Sequence, residues 1–264
     1  MNIFAEMKKY LFHVLGPKNY LKALHVSFHG LYSMRALKGN YVYKYHYFDK
    51  HVIQKGDFIL DIGANLGYYT KLFARWTGDT GHVHAVEPVA MFADTIKWGT
   101  QKQRNVTVHN VALGEAEKEV ALSTPGKYGY LRTGLARIFP PEEAQPSYEF
   151  TFKATMKKGS ELFANLHRLD FIKCDIEGYE EFVFPEMKSL LIKYKPVIQV
   201  ETWGQQKARV ENFLKSIGYK IYDVEDGVLK PIEESKQELP GDLFFIHKDN
   251  ASVIDRLRKM KLAS

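Results

Sequence analysis

From residue 57 onward the apolar positions alternate between two rhythms, short runs of β-branched and aromatic residues and longer stretches at helical spacing. "DFILDIG" (57–63) leads into "YYTKLFARW", and "GHVHAVEP" (81–88) leads into "MFADTIKWGTQKQ". "VTVHNVALG" (106–114) follows. "RLDFIKCDIEG" (168–178) precedes "EFVFPEMKSLLIKY", and "KPVIQVET" (195–202) precedes "KARVENFLKSIG". "YKIYDV" (219–224) and "DLFFIHK" (242–248) close the chain. Strands alternating with helices are the pattern of a parallel sheet covered on both faces. The expected fold is α/β, doubly wound, with a mostly parallel seven-stranded sheet.

The first 55 residues follow another pattern. Leu21, Leu24, Phe28 and Leu31 stand at helical spacing within residues 19–38, which predicts an amphipathic helix relaxed near Gly30. Its polar side, with Lys22, His25, Arg35 and Lys38, would suit peripheral contact with a membrane surface, although packing on a core is the commoner fate of such a stripe. Tyrosines 41, 43, 45 and 47 alternate, and an extended segment would align their rings on one face. Residues 1–55 therefore read as a helical and aromatic extension packing on a main domain at 56–264. Within that domain, about 115–167 forms an unusually long connection between the third and fourth strands. It holds "EVALS" and "YEFTFKA" around a Gly/Pro-rich excursion at about 125–146. Two inserted strands carrying a substrate-contacting flap are expected. Arg132 and Arg137 in that flap could meet a carboxylate or phosphate.

Composition narrows the partners. A chain of 264 residues with 45% hydrophobic content can bury a sizeable core. A net charge of +6 would suit an anionic partner, but 37 basic residues are interleaved with 31 acidic ones. Only charge and tyrosines favour nucleic acid, and none is expected as a partner. A single cysteine, Cys174, excludes an internal disulfide framework. "MNIFAEMKKYLFHVLG" lacks the order of a signal peptide, and no apolar run nears the ~18 residues of a spanning helix. Cytoplasm is the expected location, with no integral membrane segment.

In an open parallel sheet, ligands bind beyond the carboxyl ends of the strands. The polar residues there are Asp61, Glu87, Asn110, Asp175 and Glu201. Single strand-end acids often only cap helices. Five polar endings on one edge point to a site. "DIGANLG" (61–67) sets Gly63 and Gly67 around Asn65, a tight turn into a helix whose first amides can meet a ligand. A dinucleotide fingerprint needs glycine where Asn65 stands, and Asp61 would face the diphosphate, which argues against NAD or FAD. A zwitterionic ligand without phosphates suits this acid better. Glu87 is placed to accept hydrogen bonds from ribose hydroxyls.

Together, "DIGANLGYYT", "VEP", "VALG", the long connection and "DFIKCDIEGYE" resemble the FkbM-type S-adenosylmethionine-dependent methyltransferases over roughly residues 57–225. The resemblance implies a class I, Rossmann-like fold with an antiparallel last strand. It also implies S-adenosyl-L-methionine as cofactor and O-methylation of a hydroxyl on a small molecule, sugar or lipid-linked glycan. Carried over by position, Asp61, Gly63, Ala64, Asn65 and Gly67 would serve the amino-acid end of the cofactor and Glu87 its ribose. Asn110, Val111 and Ala112 would lie on the adenine side.

Strand parity in "FIKCD" puts Phe171, Lys173 and Asp175 on one face and Ile172 and Cys174 on the other. Cys174 then reads as a buried small hydrophobe. A lysine inside a central strand needs a partner, and Glu201 on the next strand is the expected one. Asp175 and Glu177 are the candidates for orienting an acceptor hydroxyl and taking its proton, with His109 and His167 as further possible bases. Glu180 and Glu181 read as first-turn helix acids. Asp175, Glu177 and Glu201 could hold a divalent cation, but no metal is expected to be required. Asp-Ile-Glu-Gly stands where amine-methylating nucleic-acid enzymes carry Asn/Asp-Pro-Pro-aromatic, which speaks against an exocyclic amine. The alternative of another class is a non-catalytic cofactor-binding protein.

Overall fold

A computed structural model describes residues 3–125, 129–138, 148–202, 204–232 and 241–264. Its strands are β1 (Phe58–Ile62), β2 (His82–Val86), β3 (Val106–His109), β4 (Ala112–Leu113), β5 (Lys118–Pro125), β6 (Arg137–Ile138) and β7 (Tyr148–Lys157). They continue with β8 (Phe171–Cys174), β9 (Val197–Glu201), β10 (Tyr219–Glu225), β11 (Val228–Ile232) and β12 (Asp242–His247). The helices are α1 (Ile3–Ser33), α2 (Lys44–Val52), α3 (Tyr68–Thr77), α4 (Ala90–Gly99), α5 (Gly159–Leu162), α6 (Glu180–Glu186), α7 (Lys188–Tyr194), α8 (Gly204–Ser216) and α9 (Ala251–Lys259).

The main sheet runs β11-β10-β12-β9-β8-β1-β2-β3. β9, β8, β1, β2 and β3 are parallel, and β12 runs antiparallel to both neighbours. The doubly wound α/β sheet with its antiparallel last strand is thus present, with eight strands instead of seven. The extra one, β11, pairs back on β10 through Asp226-Gly227, both at positive φ (51° and 78°), with Glu225 opposite Val228. Aspartate followed by glycine is a strong two-residue hairpin signal, because both central positions of such a turn need that conformation.

The long connection forms a second sheet, β4-β7-β5-β6, in which β5 and β7 pair antiparallel over most of their length. Residues 126–128 and 139–147 of the flap lie outside the described residues.

Alternation along the strands divides the core. Leu60, Ile62, Ile172, Cys174, Ile198 and Val200 pack under α6, α7 and α8. Ile59, Phe171, Val197 and Phe244 pack with Phe48 of α2, Phe73 of α3 and Leu257 of α9. Full burial of each large apolar side chain contributes roughly 1.5–3 kcal/mol. Asp61 and Lys173 share the second face, so α2 and α3 lie over them.

The amino-terminal region differs from expectation in three ways. α1 runs through Gly30; its break is at Gly16 (φ 68°, ψ 162°), and Pro17 opens the second half, a position where its missing N–H costs nothing. His25 is buried, with Nδ1 2.7 Å from the Leu66 carbonyl, so it does not belong to a polar surface. The tyrosines do not align on one extended face. A 3-10 turn over Tyr41–Tyr43, capped by Asn40 Oδ1 accepting from the Val42 amide, leads into α2. Tyr41 ends exposed and Tyr45 buried. No helix among the described residues is long and apolar enough to cross a membrane.

Candidate active site

The turn after β1 is shaped by contact with β8. Gly63 has φ +77°, and a Cβ there would stand 1.8 Å from the Asp175 carbonyl oxygen. Only glycine lets the two strand ends meet. The Gly63 and Ala64 amides both donate to the Val86 carbonyl at 3.0 Å. Asn65 takes up the left-handed conformation (φ 51°), and its amide donates to Glu87 Oε2 at 2.8 Å. Glu87 Oε1 accepts from the Val89 amide, also at 2.8 Å. Gly67 (φ 77°) brings the backbone against Ile96. Asp61 accepts from Thr70 Oγ1 at 2.5 Å.

These strand ends and the second sheet bound a cleft of about 650 Å³, part of it open to solvent. Gly63, Asn65, Glu87, Val111, Ala112, Asp175 and Glu177 line it, with Phe92, Leu122 and Tyr179 as apolar wall and Gly134, Ala136 and Ile138 from the flap. Asp61, Ala64 and Gly67 shape the turn from behind. Asn110 is used structurally: its amide nitrogen donates to the Glu87 and Pro88 carbonyls at 2.9 and 3.0 Å.

At the end of β8, Lys173 is buried with Nζ 3.0 Å from Asp175 Oδ2 and 4.8 Å from the centre of the Tyr69 ring. Its ion-pair partner is therefore Asp175, not Glu201. Register explains the correction. Lys173 stands opposite Gln199, whereas Asp175 is two residues along on the same face. Glu201 joins through a hydrogen bond to Asp175.

The carboxyl groups are driven apart in acidity. Burial opposes ionisation of Asp175, but the Lys173 ammonium and hydrogen bonds from Glu201 and Lys173 outweigh it and hold its pKa below the usual value. Burial and the Asp175 charge push Glu201 up to about 9. Burial, with Asp175 and Glu180 nearby, brings Glu177 to about 7. Burial raises Glu87 to about 8 against its two backbone donors, and Asp61 to about 6 against Lys173. Lys173 itself is held charged, its burial overcome by Asp175, Asp242 and Asp61.

Glu177 adopts a left-handed backbone (φ 55°), followed by Gly178 at 112°. Glu180 fixes this turn, its carboxylate accepting from the Ile176 amide at 2.9 Å and the Gly178 amide at 3.1 Å. It does more than serve a helix dipole. Glu181 does stay at the rim, paired with Arg209 at 2.5 Å.

His109 lies beside His84 on the outer strands, and exposed His167 packs edge-on to Phe58 at the opening end of β1. Neither lines the cleft. Cys174 is buried and its thiol pKa is pushed well up by that burial. Four residues near Lys173 escaped the reading of the sequence: His46 and Asp49 of α2, Tyr69 of α3 and Asp242 of β12. His46 stacks on Tyr69 at 3.8 Å. The Gln199 amide, turned toward α2, donates to Asp49 at 2.9 Å. Asp242 stands opposite Glu201 in the antiparallel ladder. The signal for His46 and Asp49, a spacing of three, is visible only once residues 44–52 are helical.

Asp175, Glu177 and Glu201 each bring an oxygen within 4.8 Å of the other two, a spacing a hard divalent cation could occupy.

A glycine turn at the first strand, an acid at the second and a cleft outside the carboxyl ends of a sheet with an antiparallel last strand define a Rossmann-like methyltransferase. The family model for the methyltransferase FkbM domain matches residues 61–221. The chain belongs to this family of S-adenosylmethionine-dependent methyltransferases. No curated protein matches it. Among solved structures it is similar to methyltransferase FkbM from Methylobacillus flagellatus KT, at 16% identity and TM-score 0.49, over 74% of this chain and 44% of that one. It is also similar to an O-methyltransferase from Bacillus cereus in complex with SAH, at 14% identity and TM-score 0.45, over 92% and 97%. A putative rRNA-methylase from Clostridium thermocellum shows 13% identity and TM-score 0.47, over 79% and 95%. This chain spans less than half the length of the Methylobacillus protein, and likenesses this loose say nothing of substrate.

The residues present fit the cofactor. Gly63 lines the cleft beside Asn65 and Glu87. Among the described residues, Asn65 Oδ1, a buried acceptor on the cleft wall, has no protein partner. That suits a ligand whose amino-acid end carries an ammonium group.

Proposed function

We propose that the protein O-methylates a hydroxyl on a small molecule, sugar or lipid-linked glycan. Asp61, Gly63, Ala64, Asn65 and Gly67 would hold the amino-acid end of the cofactor and Glu87 its ribose, with Val111 and Ala112 along the adenine. Bound S-adenosylmethionine supplies an electrophilic methyl group. Asp175, Glu177, Glu201 and Lys173 then deal with the acceptor. Asp175, ionised beside Lys173, orients the hydroxyl. Glu177, with a pKa of about 7, takes its proton. Glu201 keeps a proton and spaces Asp175 by their shared hydrogen bond.

The observation that supports this most is the gathering of Asp175, Glu177 and Glu201, with oxygens within 4.8 Å of one another, beside the Lys173 ammonium at the rim of the cleft. The ammonium of Lys173 supplies the positive charge a cation would bring, so no metal is needed. Incubation with radiolabelled cofactor and separate glycan, lipid and RNA extracts tests the proposal. Label in an alkali-stable ether of a glycan or lipid is expected, and label confined to RNA would refute it. Turnover should survive EDTA. Loss restored by Mg²⁺ would assign the three carboxylates to a metal instead.

A further inference from the structure

Residues 3–15, the first half of α1, are apolar on more than the face they bury. Ala5 and Phe12 point to the molecule, where the Phe12 ring meets Tyr20 and Phe150 edge-on at 5.3 and 5.9 Å. Met7, Tyr10, Leu11, Val14 and Leu15 are exposed, at 49, 68, 38, 61 and 36%. Their spacing of three, four, seven and eight puts them on one stripe, roughly 140° around the helix from Phe12 at about 100° per residue.

Charge is gathered in the same region. Residues 1–40 hold six basic residues and one acidic residue, against 31 and 30 in the rest of the chain. A net +5 of the chain's +6 therefore lies in residues 1–40, and residues 3–18 carry +2 of it. Lys8 is exposed at the edge of the stripe and Lys18 just past the break, whereas Lys9 turns to the other side of the helix, against Gly129, and Glu6 is the lone acid.

We infer that residues 3–15 form an interfacial helix that docks on an anionic lipid bilayer, the stripe entering the headgroup boundary and Lys8 and Lys18 meeting lipid phosphates. A second copy fits poorly. The segment is ~20 Å long at 1.5 Å per residue, too short for the ~800 Å² per partner of a stable interface. Pairing would also face the lysines of one copy with those of the other. Nucleic acid would leave the stripe in water. Beyond the break at Gly16, Tyr20 and Leu21 pack with Phe92, a wall of the cleft, so a docked helix holds the cleft close to the lipid surface.

Co-sedimentation of the full chain with vesicles of phosphatidylcholine, with and without phosphatidylglycerol, tests this. Binding to the anionic vesicles should be on the order of 30-fold tighter, from two lysines, and should weaken as salt rises. Met7→Glu with Val14→Glu should abolish binding while leaving the melting temperature unchanged. If that variant melts early, Tyr10→Gln with Leu11→Gln serves in its place. Lys8→Gln and Lys18→Gln together should remove the preference for anionic lipid, and Lys9→Gln alone should leave it. Wild type that stays in the supernatant with both vesicles overturns the inference. So do stripe variants that bind undiminished, or a lipid-free dimer that they split.

Discussion

Glu177 holds a conformation that glycine adopts freely and other residues adopt at a cost of about 1–2 kcal/mol. Its carboxyl pKa of about 7 follows from burial beside Asp175 and Glu180. If it is the base, turnover should rise with pH through about 7 and fall near 9, as Glu201 loses its proton. Glu177→Gln should lower kcat by roughly 10²–10⁴-fold, erase the rising limb and leave cofactor affinity intact, as read by titration calorimetry. The sign for stability is opposite. The folded carboxyl binds its proton more tightly than the unfolded one, so its contribution is complete below about 4.5 and is lost as pH rises through about 7. Lys173→Met should move the acid limb of turnover upward, because Asp175 loses the cation that keeps it ionised. It should also destabilise by no more than roughly 3–5 kcal/mol, since Asp175 reaches the cleft and can protonate; a denaturant melt reads this. Unchanged turnover and pH profile would remove Lys173 from the site. The lysine itself was legible as a charge inside a strand. Its partner was not, because register and not sequence distance decides which carboxylate it meets.

At the level of elements, the β1 turn and the end of β8 form one unit. Gly63→Ala adds a methyl 1.8 Å from the Asp175 carbonyl at a φ that alanine avoids. The strand ends must part, and both cofactor affinity and the melting temperature should fall together. Gly30→Ala, in open space within α1, should cost nothing in either. The strands of the main sheet were readable because buried parallel strands are short apolar runs with turn signals between them. β11 was passed over although Asp226-Gly227 announced it; its Pro231 is tolerated because β11 lies at an edge of the sheet. The tyrosine segment misled because alternation of one residue type imitates strand periodicity. The core positions of α2, Tyr45, Phe48 and Val52, in fact follow helical spacing.

Across the whole molecule, α9 is tied back to α2. Arg256 of α9 donates to the carbonyls of His51 and Val52 at 2.7 and 2.6 Å, fastening the end of α2. Arg256→Ala should cost about 1.5–3 kcal/mol, seen as a lower melting temperature. It should also loosen the cover that α2 places over Lys173, so turnover should drop with it. This packing was invisible in the sequence, because it joins positions some 200 residues apart. The break at Gly16 has the opposite character. Residues 5–15 bury little, and helices with few buried contacts open long before the global transition. Hydrogen exchange should be fast there and slow from Tyr20 onward. A protease cutting after Lys18 would leave both sheets, the carboxylate network and the cleft whole while removing the exposed stripe, so on the docking inferred above one surface cleavage would separate turnover from lipid contact.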